Sequence, residues 1–162
     1  MFKLPPVPSW SGFHPLVVHF PIALLLVVPL LIALAILMKR QRKHLLACSL
    51  LLLTLGTVAT YVAVESGEAA ARLADKTPEV VAQIETHSGL AENSRMYFSA
   101  LTVLLALLVF LPALFKRELE GAVGLTVLGI YLCLYLACSL LLANTAHAGA
   151  RLVHEFGVHG LI

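Results

Sequence analysis

Residues 15–38 read PLVVHFPIALLLVVPLLIALAILM, an apolar run with no Asp, Glu, Lys or Arg in it. An α-helix rises about 1.5 Å per residue, so about 20 such residues cross a hydrocarbon core of roughly 30 Å. The run therefore predicts a membrane-crossing helix. Three further uncharged apolar blocks follow, at about 45–64, 97–115 and 122–143. The expected fold is all-α, a transmembrane four-helix bundle in which residues 1–162 form a single integral membrane domain.

Composition agrees with the blocks. Of the 162 residues, 60% are hydrophobic and 12% charged, against roughly half and a quarter in a soluble domain. The formal charge of +2 comes from Lys and Arg at span ends, with no basic patch interleaved with aromatics, so no nucleic-acid partner is expected. The start, MFKLPPVPSWSGFHP, has no small-x-small cleavage site after the run that follows it. The first span is thus expected to be retained rather than removed as a signal peptide.

Lys39, Arg40, Arg42 and Lys43 fill the connection between spans one and two, and Lys116 and Arg117 the one between spans three and four. The positive-inside rule places both in the cytoplasm. This predicts a multi-pass protein of the inner (cytoplasmic) membrane with both termini outside, and a long middle loop, residues 65–96, on the outer side. Lys3, Arg72, Lys76, Arg95 and Arg151 also fall outside, diluted by Glu65, Glu68, Glu79, Glu85 and Glu92.

The middle loop carries helix-start chemistry. In Asp75-Lys76-Thr77-Pro78-Glu79, Thr77 suits an N-cap, Pro78 the first helical position, and Glu79 the positive end of the dipole. Val80, Val81, Ile84, His87 and Ser88 then recur at helical spacing, and residues 69–73 are placed to prolong span two. The helices should overshoot the bilayer as a small outer-face helical cap, with Gly89 and Asn93 marking a possible break in the third. Pro21 and Pro29 should kink the first span, and the backbone groups they free must be satisfied inside the bundle. Gly124, Gly129, Ala146, Gly149 and Ala150 are read as small residues that let helices approach. Cys48, Cys133 and Cys138 form no CxxC or CxxCH pattern and read as small buried residues.

Six of the seven histidines, His14, His19, His87, His147, His154 and His159, sort to the outer side, leaving His44 in a cytoplasmic connection. Counting along each helix puts His19 near the boundary and His14 and His147 roughly 5–10 Å beyond it, with His87 higher and His154 highest. Several imidazoles from facing helices in one half-buried layer suit a b-type haem. Two axial histidines sandwich the iron, the macrocycle packs among apolar side chains, and the propionates seek arginines such as Arg72, Arg95 and Arg151.

The candidate haem ligands are His14, His19, His87 and His147, with His154 next, for one or two haem b groups. The partner helices are one and three or one and four. The same five histidines would alternatively serve a zinc or copper site, with Glu65 or Glu68 beside it. A third reading has no cofactor: a structural accessory subunit whose histidines are solvated. His44 and His159 are read as solvated. The spans carry no Asp, Glu, Lys or Arg in their middle, which argues against ion-coupled transport, and no nucleophile–base pair stands at a credible spacing.

The stretch from His14 to Leu24, HPLVVHFPIAL, resembles the opening signature of a family of small bacterial membrane proteins known as a domain of unknown function. Gly67-Glu68-Ala69-Ala70 and then His87 are similar to that family's middle loop. The stretch from Gly149 to Val158, GARLVHEFGV, is similar to its closing GGxLVYxxGVGV. Ala150 stands where Gly is usual and His154 where Tyr is common, so the resemblance implies no obligatory ligand at His154. Relatives occur beside or fused to c-type cytochrome domains, which implies a redox setting at the outer face. A c-type cytochrome or a respiratory complex is then the implied partner, besides the lipid bilayer.

Overall fold

The computed structural model describes residues 7–75, 77–115 and 121–158, and the expectations attached to Lys3, Lys76, Lys116, Arg117 and His159 lie outside them. The described residues form five α-helices, α1 (Trp10–Val17), α2 (His19–Leu37), α3 (Arg42–Ala71), α4 (Pro78–Leu114) and α5 (Gly121–His154), with a 3-10 turn at Lys39–Gln41. They contain no strand.

The first span begins at Ser9, whose Oγ caps α1 by accepting from the Gly12 N–H at 3.3 Å. It is interrupted at Val18 because Pro21, lacking an N–H, cannot bond the Val17 carbonyl four residues back. Pro29 frees the Leu25 carbonyl in the same way, yet α2 runs through it. There the Tyr135 hydroxyl reaches in from α5 and donates to the Leu25 oxygen at 2.8 Å. A freed carbonyl in a low-dielectric core is thus satisfied by a neighbouring helix.

At the far end of α2 the buried Arg42 donates from Nε to the Ala35 oxygen at 3.0 Å and from its guanidinium to the Ile36 oxygen at 3.4 Å. It supplies charge-assisted donors to carbonyls left over at a helix C-terminus.

Thr77 caps α4 by accepting from the Val80 N–H, and Pro78 is its first residue, as the local sequence predicts. The break expected at Gly89 or Asn93 does not occur, and α4 is one helix of 37 residues. A single helical glycine costs only about 1 kcal/mol relative to alanine, and the inward contacts of Gln83, His87 and Ser94 span the position. Helices α3, α4 and α5 have 30, 37 and 34 residues. At about 1.5 Å per residue these lengths come to roughly 45, 55 and 51 Å, more than a hydrocarbon core requires, so the helices overshoot it.

The helices pack as a square. α2 touches α3 and α5, α4 touches the same two, and α1 lies on α3, while the backbones of the diagonal pairs α2–α4 and α3–α5 do not come close. Inside are Leu25, Val28, Ile32, Leu53, Phe98, Leu105 and Leu128 with Ser49, Ser66 and Ser94. Outside are large apolar side chains such as Phe110 (63% exposed) and Leu140 (70%). Four helices are long and apolar enough to cross a membrane, and an apolar exterior over a partly polar interior suits lipid as solvent.

Two readings need correction. Cys48 and Cys133 are exposed on this apolar exterior rather than buried, and Cys138 is half-buried. Gly129 has no neighbour within 4 Å of its Cβ position, so it is not a helix-packing contact.

Candidate functional site

His14 sits on α1 with its Nδ1 2.8 Å from the Ala63 carbonyl oxygen of α3 and 3.3 Å from Ser66 Oγ. Its ring lies flat enough on α3 that a Cβ at Gly67 would come within 2.8 Å of Cε1. His87, on α4, repeats this arrangement on α5. Its Nδ1 is 3.0 Å from the Thr145 carbonyl oxygen, and a Cβ at Gly149 would meet its Cε1 at 2.9 Å.

In each half a histidine of the first helix is anchored to a carbonyl of the second, four residues before the glycine that seats the ring. The chain is thus built of two helical hairpins carrying the same half-site. No repeat is visible in the sequence, because it resides in geometry that only a few residues fix.

The two half-sites meet. The rings of His14 and His87 have centroids 6.4 Å apart and planes inclined at 75°. α1 continues into α2, which is diagonal to α4, so the side chains bridge a diagonal that the backbones do not.

A carbonyl oxygen only accepts, so each Nδ1 must carry the hydrogen, and in the neutral imidazole Nε2 is then the bare lone pair. Two imidazolium charges at this spacing would repel by about 2–3 kcal/mol at an effective dielectric constant of about 20, which favours the neutral forms. Every hydrogen bond of these rings among the described residues goes to Nδ1. No buried side-chain nitrogen or oxygen there lacks a partner, so the Nε2 atoms border accessible space.

Around the pair lie buried polar side chains. Ser66 (0% exposed) donates to the Ala63 oxygen that also receives His14, and Ser94 (1%) bonds Thr145 Oγ1 at 3.0 Å. Gln83 of α4 donates to the Ala148 oxygen at 2.9 Å, tying α4 to α5 beside Gly149. Deeper still, Phe98 and Tyr135 meet edge to face. The polar groups packed around the pair are thus satisfied by one another and by backbone carbonyls.

The other candidates lie elsewhere. His19, His147 and His154 are exposed, as is His44. His147 is only two residues from Thr145, but that step turns it about 200° around the helix, off the inner face. Arg95 is ion-paired to Glu92 at 2.5 Å and Glu65 at 3.6 Å and lies 5.2 Å over the Tyr61 ring. Arg72 is paired with Glu68 and Arg151 with Glu155. Each expected rim arginine thus already has a carboxylate partner.

Among the described residues no three His, Cys, Asp or Glu side chains converge as a metal-binding group. The arrangement present is two imidazoles, one from each hairpin, joining helices one and three of the predicted set. The residues that sequence reasoning left without a site role are Gly67, Gly149, Ser66, Ser94, Thr145 and Gln83. The two glycines stand within the quoted family motifs, and that is the signal that marks them.

Compared with known families, residues 11–161 match the one described as Predicted membrane protein (DUF2231). No curated protein and no solved structure matches the chain. The chain belongs to the DUF2231 family of membrane proteins.

Proposed function

We propose that this DUF2231 membrane protein is a b-type cytochrome that holds one haem between His14 and His87, near the outer face of the inner membrane. The observation that carries the reading is the pair itself, two neutral imidazoles with Nδ1 held by backbone carbonyls and centroids 6.4 Å apart. A metal bound in line by two Nε2 atoms at about 2.0–2.1 Å each sets the ring centroids roughly 6.3 Å apart. A tetrahedral ion wants three or four protein donors, whereas a haem iron takes four nitrogens from the macrocycle and asks the protein for two.

Bound there, the group would supply one-electron redox chemistry. The chain's own residues do the rest. His14 and His87 would hold the group, and the Ala63 and Thr145 carbonyls fix their tautomer, orient the rings and raise their basicity. Ser66 flanks the His14 ring, and Ser94 and Thr145 bond each other on the His87 side.

The basic residues Lys39, Arg40, Arg42 and Lys43 lie at the opposite end of the bundle from the pair, so the positive-inside rule puts the pair outside. From Thr145 to Gly121, the other end of α5, is about 36 Å. One haem at one end serves outer-face partners, such as a c-type cytochrome domain or a respiratory subunit, rather than carrying electrons across the membrane. With His19, His147 and His154 exposed, the pair serves one haem, not two.

The test is a visible spectrum of protein purified in mild detergent, oxidised and dithionite-reduced, with metal analysis of the same sample. A sharp Soret band, with α and β bands on reduction, is the expected result. The same spacing also suits a single copper ion between two imidazoles, and colourless protein with stoichiometric copper or zinc would favour that second reading. Protein with neither haem nor metal would favour a cofactor-free accessory subunit.

A further inference from the structure

We infer that Gly67 and Gly149 are positioning residues, each the seat that sets how far a histidine ring stands from its partner, and thereby how strongly the pair holds a haem. The inference rests on the reading of the pair as axial ligands. A Cβ at Gly67 would lie 2.8 Å from His14 Cε1 and 3.1 Å from its Nδ1. One at Gly149 would lie 2.9 Å and 3.2 Å from the same atoms of His87.

The colliding atoms are not the free ends of flexible chains. Each ring is tethered through Nδ1 to the carbonyl one turn away, Ala63 for His14 and Thr145 for His87. A methyl group on the glycine must therefore break the tether or push the ring off the helix that seats it, and either alters its spacing from its partner. The glycine and the carbonyl work as one device, the carbonyl fixing the tautomer and the glycine fixing the reach. Alteration of the groups that orient a metal-bound histidine typically costs 10–100-fold in affinity, and a loss of roughly that size is expected here.

Two other glycines separate positioning from packing. A Cβ at Gly56 would lie 2.7 Å from Leu25 Cδ2, an equally close contact remote from the histidines. Gly89, in the same helix as His87, has nothing within 4 Å of that position.

Haem affinity, midpoint potential and the reduced spectrum are measured for Gly67→Ala, Gly149→Ala, Gly56→Ala and Gly89→Ala. The first two should lose roughly 10–100-fold in affinity and shift in potential. Gly56→Ala should lower Tm with the spectrum and potential unchanged, and Gly89→Ala should change neither. Unchanged spectra and potentials in both Gly67→Ala and Gly149→Ala, or an equal change in Gly56→Ala, would overturn the inference.

A second measurement needs no haem. Tm of the haem-free protein is read for Gly149→Ala alone and combined with His87→Ala, and for Gly67→Ala alone and combined with His14→Ala. With the ring removed the added methyl should cost nothing, and a single variant that fails to fold should be restored. Equal loss with and without the ring would overturn the inference. If wild-type protein takes no haem while this cycle behaves as expected, the cytochrome reading fails and the seating of the rings stands.

Discussion

His14 and His87 face each other across a diagonal of the bundle with ring centroids 6.4 Å apart and ring planes inclined at 75°. Neither residue belongs to the central, uncharged part of its span. Both are held by carbonyls of a neighbouring helix, so the angle between their planes is fixed by backbone rather than by rotamer choice.

That angle has a spectroscopic consequence. Axial imidazoles held nearly perpendicular leave two iron d orbitals close in energy, so the oxidised protein should give a highly anisotropic low-spin signal in low-temperature electron paramagnetic resonance. The ordinary rhombic spectrum of coplanar ligands, or a high-spin signal, would show that the rings do not keep the orientation seen here.

Tyr135 should be coupled to Pro29, since its hydroxyl satisfies the Leu25 carbonyl that Pro29 leaves without an N–H. Tyr135→Phe strands a buried acceptor and should cost about 1–3 kcal/mol. In a Pro29→Ala background the alanine N–H serves that carbonyl, and the cost should largely vanish. Unfolding of the four proteins of this cycle in detergent measures the coupling, and equal costs in both backgrounds would remove the role given to Tyr135.

How much of this is legible from residues alone differs from element to element. Apolar run length marks out the four helices that are long and apolar enough to cross a membrane, and Thr77-Pro78-Glu79 locates the start of α4. The selection of His14 and His87 from five candidates is not legible. It depends on helix phase, which turns His147 outward although it lies between Thr145 and Gly149, and on the two glycine seats. Gly149 reads from sequence as a place where helices approach, and it is a place where a ring approaches instead. Gly89 reads as a break because propensity is local, while the contacts that carry α4 through it are to α5.

The proposed orientation rests on the positive-inside rule applied to the basic turn at Lys39–Gln41 and to Arg42 and Lys43, at the end of the bundle away from the pair. A reporter fused after Ile162 and active only outside the cytoplasm should therefore be active. Activity of a cytoplasmic reporter at the same place would put the pair on the inner side.

Haem content and reduced spectra of five single variants decide whether these two histidines and no others form the site. The five are His14→Ala, His87→Ala, His19→Ala, His147→Ala and His154→Ala, each purified as the full chain. The first two should lose the bis-histidine low-spin spectrum and most of the haem, while the other three keep both. Retention of the wild-type spectrum in both His14→Ala and His87→Ala, or its loss in any of the other three, would contradict the claim.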